Sequence, residues 1–196
     1  TKKLNHQYLE EVRAFGANVS NKTIWEEINA FPMASFAYLD CHSNTLHAQK
    51  YWDISFQKKS KGSLEEHLEE YETLLTEAVR IRLRSDVPVC LTFSGGVDSG
   101  TIAAIVSRKL NQTANLFCID YDAEYQKSPE VAQANAVAQS LRLPLTFINY
   151  DFKKNMLLDF PQEYAHFDQP CLQFPLVYSG VLYRHIHKNA KVTLSG

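Results

Sequence analysis

From residue 88 onward, short apolar runs alternate with helical patterns, and few architectures accept that rhythm. PVCLTF (88–93), NLFCID (115–120), PLTFIN (144–149) and KVTLS (191–195) read as four strands. Between the first two, Ile102, Ala103, Ile105, Val106 and Leu110 recur at helical spacing. Ser128-Pro129-Glu130 opens a second helix, with serine as N-cap and proline at the first helical position. An irregular stretch follows the third strand, and a further helix is expected around 176–189. Strands that are apolar on both sides must be covered on both sides. The pattern therefore predicts an α/β fold: a parallel sheet with helices on both faces.

The first sixty residues have a different texture. Leu4, Tyr8, Leu9 and Val12 suggest a short helix over 4–14. Around Phe36, Tyr38 and Asp40 the residues alternate, CHSNT interrupts, and Leu46 to Trp52 is extended again, which predicts a β-hairpin. QKKSKG (57–62) is polar and ends in glycine, as a linker would. Ser63 and Glu66 are spaced as a capping box. Behind them Leu64, Leu68, Tyr71, Leu75, Ala78 and Val79 form one apolar stripe, and Arg80, Arg82 and Arg84 sit where a helix dipole is negative.

Composition excludes several classes. A net charge of −2 with 21% charged residues fits neither a disordered tail nor a nucleic-acid arm. No apolar run is long enough to span a bilayer, so a soluble, cytoplasmic protein is expected. Cys41, Cys90, Cys118 and Cys171 lack metal-ligand spacing and read as reduced thiols. His185 and His187, two apart, fall on different sides of a helix and read as surface residues. The chain begins without methionine and stops at Ser195-Gly196, so truncation at both ends is expected.

Chemistry concentrates in Ser94-Gly95-Gly96-Val97-Asp98-Ser99, between the first of these strands and its helix. Adjacent glycines let the backbone turn tightly and approach a ligand. The helix start offers unpaired N–H groups and a positive dipole end, an anion site. Ser94 and Ser99 add hydroxyls, and Asp98 makes sense beside phosphate if it holds Mg²⁺. The spacing is neither a GxxxxGK[ST] loop nor a GxGxxG fingerprint.

SGGVDS is similar to the SGGxDS signature of the PP-loop ATP pyrophosphatases, and RLRSDVPVCLTF before it resembles the lead-in of asparagine synthetases. TIWEEINAFP, YLD and YWDI resemble the end of their glutaminase domain, and Phe167-Asp168-Gln169-Pro170 and KVTLSG fall in register downstream. The resemblance implies an adenine nucleotide α-hydrolase-like PP-loop fold. Residues 1–56 would be the C-terminal tail of an Ntn-type glutaminase domain, 57–62 a linker, and 63–196 the first part of the ATP-binding synthetase domain. It also implies that the first and fourth strands lie side by side.

By the same resemblance, Ser94, Gly95, Gly96, Val97, Asp98 and Ser99 bind ATP and its pyrophosphate, with Asp98 as catalytic residue and Mg²⁺ ligand. Thr92 and Ile119 match positions against the adenosine, and Ser195 and Gly196 match a segment whose backbone meets the nucleotide. The implied reaction is ATP-dependent amide formation. A carboxylate, aspartate in the family, becomes an acyl-adenylate with release of pyrophosphate, and ammonia from glutamine displaces AMP. Partners are then small molecules, with no nucleic acid and no membrane, and a homodimer is left open for the full-length protein. The chain by itself is expected to bind nucleotide weakly without turnover. Two departures stand out: Asp120-Tyr121 replaces a glycine and an apolar residue, and Cys171-Leu172-Gln173-Phe174 replaces a more polar stretch near the acyl substrate. The alternatives are a ligase resembling β-lactam synthetases or lasso-peptide cyclases, or a non-catalytic nucleotide-binding module.

Overall fold

The structure is a computed structural model that describes residues 3–56, 60–120, 129–167 and 175–196. By internal contacts it divides into two units, residues 62–165 with 174–196, and residues 1–61 with 166–173.

The larger unit is built on four parallel strands: β3 (Val89–Thr92), β4 (Asn115–Asp120), β5 (Leu145–Asn149) and β6 (Val192–Leu194). Their order is β5-β4-β3-β6, which confirms the adjacency of the first and fourth strands. Side chains alternate between two cores. Leu91, Leu116 and Cys118 face Val79 of α2 (Leu64–Arg82), Ala103 of α3 (Val97–Ala104), and Ala134, Ala138 and Leu141 of α4 (Pro129–Leu141). On the other face Cys90, Phe117 and Ile148 pack with Ile186 of α6 (Pro175–Ile186) and Ala190. The α/β class follows from this: each strand is apolar on both sides because each side meets a helix.

Local signals set the helix ends. The Ser63 hydroxyl accepts from Glu66 N–H at 3.2 Å while the Glu66 carboxylate accepts from Ser63 N–H at 2.8 Å, so the capping box is present. Arg80 pairs with Glu77 (2.6 Å) at the helix surface. Pro129 occupies the first position of α4, while Ser128 lies outside the described residues. His185 and His187 are exposed.

Three expectations need correction. Part of the stretch read as irregular is a helix, α5 (Phe152–Tyr164), which carries Pro161 inside it. Proline removes one ladder donor and normally argues against a helix; α5 loses that one bond and ends within the same turn. The helix after β3 changes to a π turn over Ile105–Lys109. Finally, the α2 stripe is buried only toward its end. Val79 is 4% exposed, but Leu64, Leu68 and Tyr71 are more than half exposed. Periodicity reports which side is apolar, not how far along the helix the neighbouring helices reach.

The smaller unit contains α1 (His6–Phe15) and a hairpin of β1 (Ser35–Asp40) and β2 (Thr45–Lys50). Asn5 caps α1 by accepting from Tyr8 N–H, and Gly16 ends it in the left-handed conformation. Tyr8 and Val12 form its buried side. The strands pair antiparallel from Ser35↔Lys50 to Asp40↔Thr45. The Asp40 carboxylate accepts from His42 N–H at 2.8 Å and from Ser43 N–H, closing the turn.

Candidate active site

β3 ends at the motif. Phe93 N–H still donates to the Phe117 carbonyl (2.8 Å), and then the chain turns through Ser94-Gly95-Gly96. Gly95 has φ +74°, and a Cβ there would stand 2.6 Å from the Ala134 Cα. Glycine is required twice over, by the left-handed backbone and by the approach of α4. Gln133 fastens the same contact by donating to the Gly95 carbonyl at 2.8 Å.

Two serines brace the turn from inside. Ser99 Oγ accepts from Ser94 N–H (3.3 Å) and lies 3.1 Å from Ser94 Oγ, which accepts from Gly96 N–H (3.3 Å). Gly96 is the N-cap of α3 and supplies no capping side chain. The first-turn N–H groups and the positive dipole end of α3 thus lack the usual side-chain cap. Asp98 lies in that first turn and is exposed.

β6 delivers the second wall. Leu194 pairs with Leu91, and Thr92 Oγ1 donates to the Leu194 carbonyl at 3.3 Å. A Cβ on Gly196 would lie 2.7 Å from Ser99 N, so the Gly196 backbone is pressed against the start of α3. Two segments about a hundred residues apart in sequence therefore converge on one helix terminus. Since β3 is flanked by β4 and β6, this is a topological switch point, where open α/β sheets bind ligands.

A cavity of about 860 Å³ opens there. Of the residues singled out by sequence, Thr92, Ser94, Gly96, Ser99, Ile119, Ser195 and Gly196 line it. Gly95, Val97 and Asp98 are not among its lining residues: Gly95 is buried beneath α4, Val97 is 84% exposed, and Asp98 is exposed in the first turn of α3. The structure adds Asp120, Glu130 and Gln133 on one side, and Ser179, Leu182 and Tyr183 of α6 on another. Helix α6 is tied down by an ion pair from Arg184 to Glu163 of α5, whose carboxylate lies over Gly180. No motif marks these residues, although a carboxylate ending the apolar run NLFCID was a legible anomaly.

Two thiols are buried in the sheet, and one of them, Cys118, lines the cavity. Burial, with the Asp120 and Glu130 carboxylates adding, pushes the Cys118 thiol up to about 11. Burial likewise raises Cys90. Both stay protonated at neutral pH and serve as small apolar side chains. Among the described residues, no cluster of three or more histidine, cysteine or acidic side chains could hold a metal by itself.

Residues 70–196 match the model of the asparagine synthase family. The chain belongs to that family. Among curated relatives, the amidase chry2 of Gibberella zeae is 41% identical over 83 residues, covering 40% of this chain and 12% of its own length. Asparagine synthetase [glutamine-hydrolyzing] 2 of Bacillus subtilis is 27% identical over 193 residues, covering 95% of this chain and 24% of its own length. The chain spans a quarter or less of these relatives. An NH3-dependent NAD synthetase from Campylobacter jejuni superposes with a TM-score of 0.44 at 16% identity, over 67% of this chain and 56% of its own. Within the asparagine synthase match, SGGVDS and the closing LSG are the two segments that meet at the start of α3. No described helix is long and apolar enough to cross a membrane.

Proposed function

We propose that this chain carries the ATP-binding part of an amide-forming ligase, one that activates a carboxylate as an acyl-adenylate and then passes it to ammonia from glutamine. The observation that carries this reading is the glycine turn, with its uncapped helix terminus, at the mouth of a cavity flanked by Ser195-Gly196. The cavity falls within the range of small-molecule and cofactor sites, roughly 300–1,000 Å³.

Each residue then has a task. The first-turn amides of α3, from Val97 to Ser99, and the α3 dipole hold the β and γ phosphates, the charge that grows as pyrophosphate leaves. One of the Ser94 and Ser99 hydroxyls donates to the other, so the pair keeps one O–H that can bond a phosphate oxygen without unmaking the turn. Thr92 and Ile119 stand against the adenosine, and the Ser195-Gly196 backbone lines the opposite wall. Attack of the substrate carboxylate on the α-phosphorus forms the acyl–phosphate bond as the bond to pyrophosphate breaks. Ammonia then takes the acyl group and AMP departs.

Asp98 fits a Mg²⁺ role, because it is an exposed carboxylate in the same helix turn as those amides and Mg²⁺ is held by one or two carboxylates plus substrate phosphates. When bound, the ion would neutralise phosphate oxygens. Aspartate is the acyl substrate proposed, by family. Residues 1–56 are proposed as the end of a glutaminase domain, 57–62 as a linker, and 63–196 as the beginning of the synthetase domain.

The test uses the full-length protein with ATP, Mg²⁺, glutamine and a panel of carboxylic amino acids headed by aspartate. Pyrophosphate release that requires the amino acid is expected, and Asp98→Ala should reduce it at least a hundredfold, the scale of losing one transition-state charge stabiliser. Absence of release with every amino acid, or an unimpaired Asp98→Ala enzyme, overturns the proposal.

A further inference from the structure

We infer that Asp120 reads the ribose of the bound nucleotide, accepting a hydrogen bond from a sugar hydroxyl. This rests on the nucleotide reading of the cavity and assigns a residue that the SGGVDS and LSG segments do not include. Asp120 ends β4, lines the cavity and is only 4% exposed. A buried carboxylate is costly unless donors surround it. It offers two oxygens and about four acceptor sites, so it can satisfy protein neighbours and a ligand donor together.

Its position narrows what that donor is. β4 lies directly beside β3, with Thr92 level with Phe117. Leu116 and Cys118 pack into the core beneath α3 and α4, and Asp120 continues that alternation, on the face that also carries the glycine turn. With phosphates on the α3 terminus, the next part of the nucleotide to reach the neighbouring strand end is the sugar. Dinucleotide-binding sheets solve the same geometric problem in the same way: an acidic residue about 20 residues past the glycine turn, ending the adjacent strand, bonds the ribose hydroxyl. Only a donor satisfies a carboxylate here. A phosphate oxygen at this point would be repelled.

The experiment measures equilibrium binding of ATP, 2′-deoxy-ATP, 3′-deoxy-ATP, ITP and inorganic pyrophosphate to the full-length protein and its Asp120→Asn and Asp120→Ala variants. The wild type should prefer ATP over one deoxy analogue by about tenfold, the range for a hydrogen bond to a charged group. Asp120→Ala should lose that preference, with ATP weakening to match the analogue, and Asp120→Asn, which keeps an accepting oxygen but not the charge, should reduce it, while pyrophosphate binding stays within about twofold of the wild type in both, against the tenfold step that one decade of affinity represents. Asp120→Asn keeps the shape of the side chain and guards against a folding defect in the alanine variant. A deoxy preference that survives undiminished in Asp120→Ala overturns the inference. So does a changed ATP/ITP ratio, which would move the contact to the base, and so does a parallel loss of pyrophosphate. If the wild type binds neither ATP nor pyrophosphate, the nucleotide reading itself falls, an outcome distinct from failure at Asp120.

Discussion

The β1–β2 hairpin and the β3–β4 pair carry comparable strand signals and have opposite fates. Along the hairpin every β2 residue is exposed, and in β1 only Ser35 and Ala37 are half-buried. In β4, Leu116, Phe117, Cys118 and Asp120 are all buried. The hairpin is held by its ladder, its Asp40 turn and an edge-on Phe36–Tyr38 pair at 5.5 Å. A two-stranded ribbon of that kind is marginal unless something covers it. The parallel sheet, by contrast, has helices packed on both faces. Precision at the site comes from cover, not from strand propensity.

The comparison breaks most sharply at Gly95. Gly95→Val should cost about 3 kcal/mol or more, since it adds left-handed strain to an overlap with the α4 backbone. Chemical denaturation of the variant checks this, and near-wild-type stability would show that α4 is free to retreat. Next comes a matched pair. Leu116→Ala should lose about 2–5 kcal/mol, whereas Leu46→Ala, on the open hairpin, should change stability by under about 0.5 kcal/mol. Equal losses would mean that the hairpin is covered in the full-length protein, which is a result worth having.

A smaller effect is expected at Ser63. Its replacement by alanine removes one half of the capping box and should cost about 1 kcal/mol. The last is conditional on pH. Burial, with Asp159 adding, pushes the Tyr150 hydroxyl up to about 12. The folded state then holds that proton more tightly than the unfolded chain, whose tyrosine titrates near 10. Its contribution is complete below about pH 10 and fades as pH rises toward 12. The stability difference between wild type and Tyr150→Phe should therefore be flat from pH 6 to 9 and shift against the wild type above 10. A constant difference across that span would place the hydroxyl in water.

Much of this was readable from residues because it is local. Ser63 and Glu66 announce their capping box, Pro129 its helix start, and NLFCID its strand, since each depends on neighbours within a turn or on simple periodicity. Helix α5 was not readable: its apolar residues lack a clean period and Pro161 argues against it, so contacts with α6 decide it. The exposed half of the α2 stripe has the same cause, because burial depends on how far neighbouring helices extend.

For the candidate site the division is similar. SGGVDS alone specified a tight turn, an uncapped helix start and the chemistry of an anion site, because glycine freedom and backbone dipoles are properties of the segment itself. That Gly196 presses on Ser99, that Gln133 fastens Gly95, and that Asp120 and Tyr183 look into the same cavity was settled only by strand order and helix packing. Residues a hundred positions apart meet there because β3 is flanked by β4 and β6, an arrangement that no local interaction encodes.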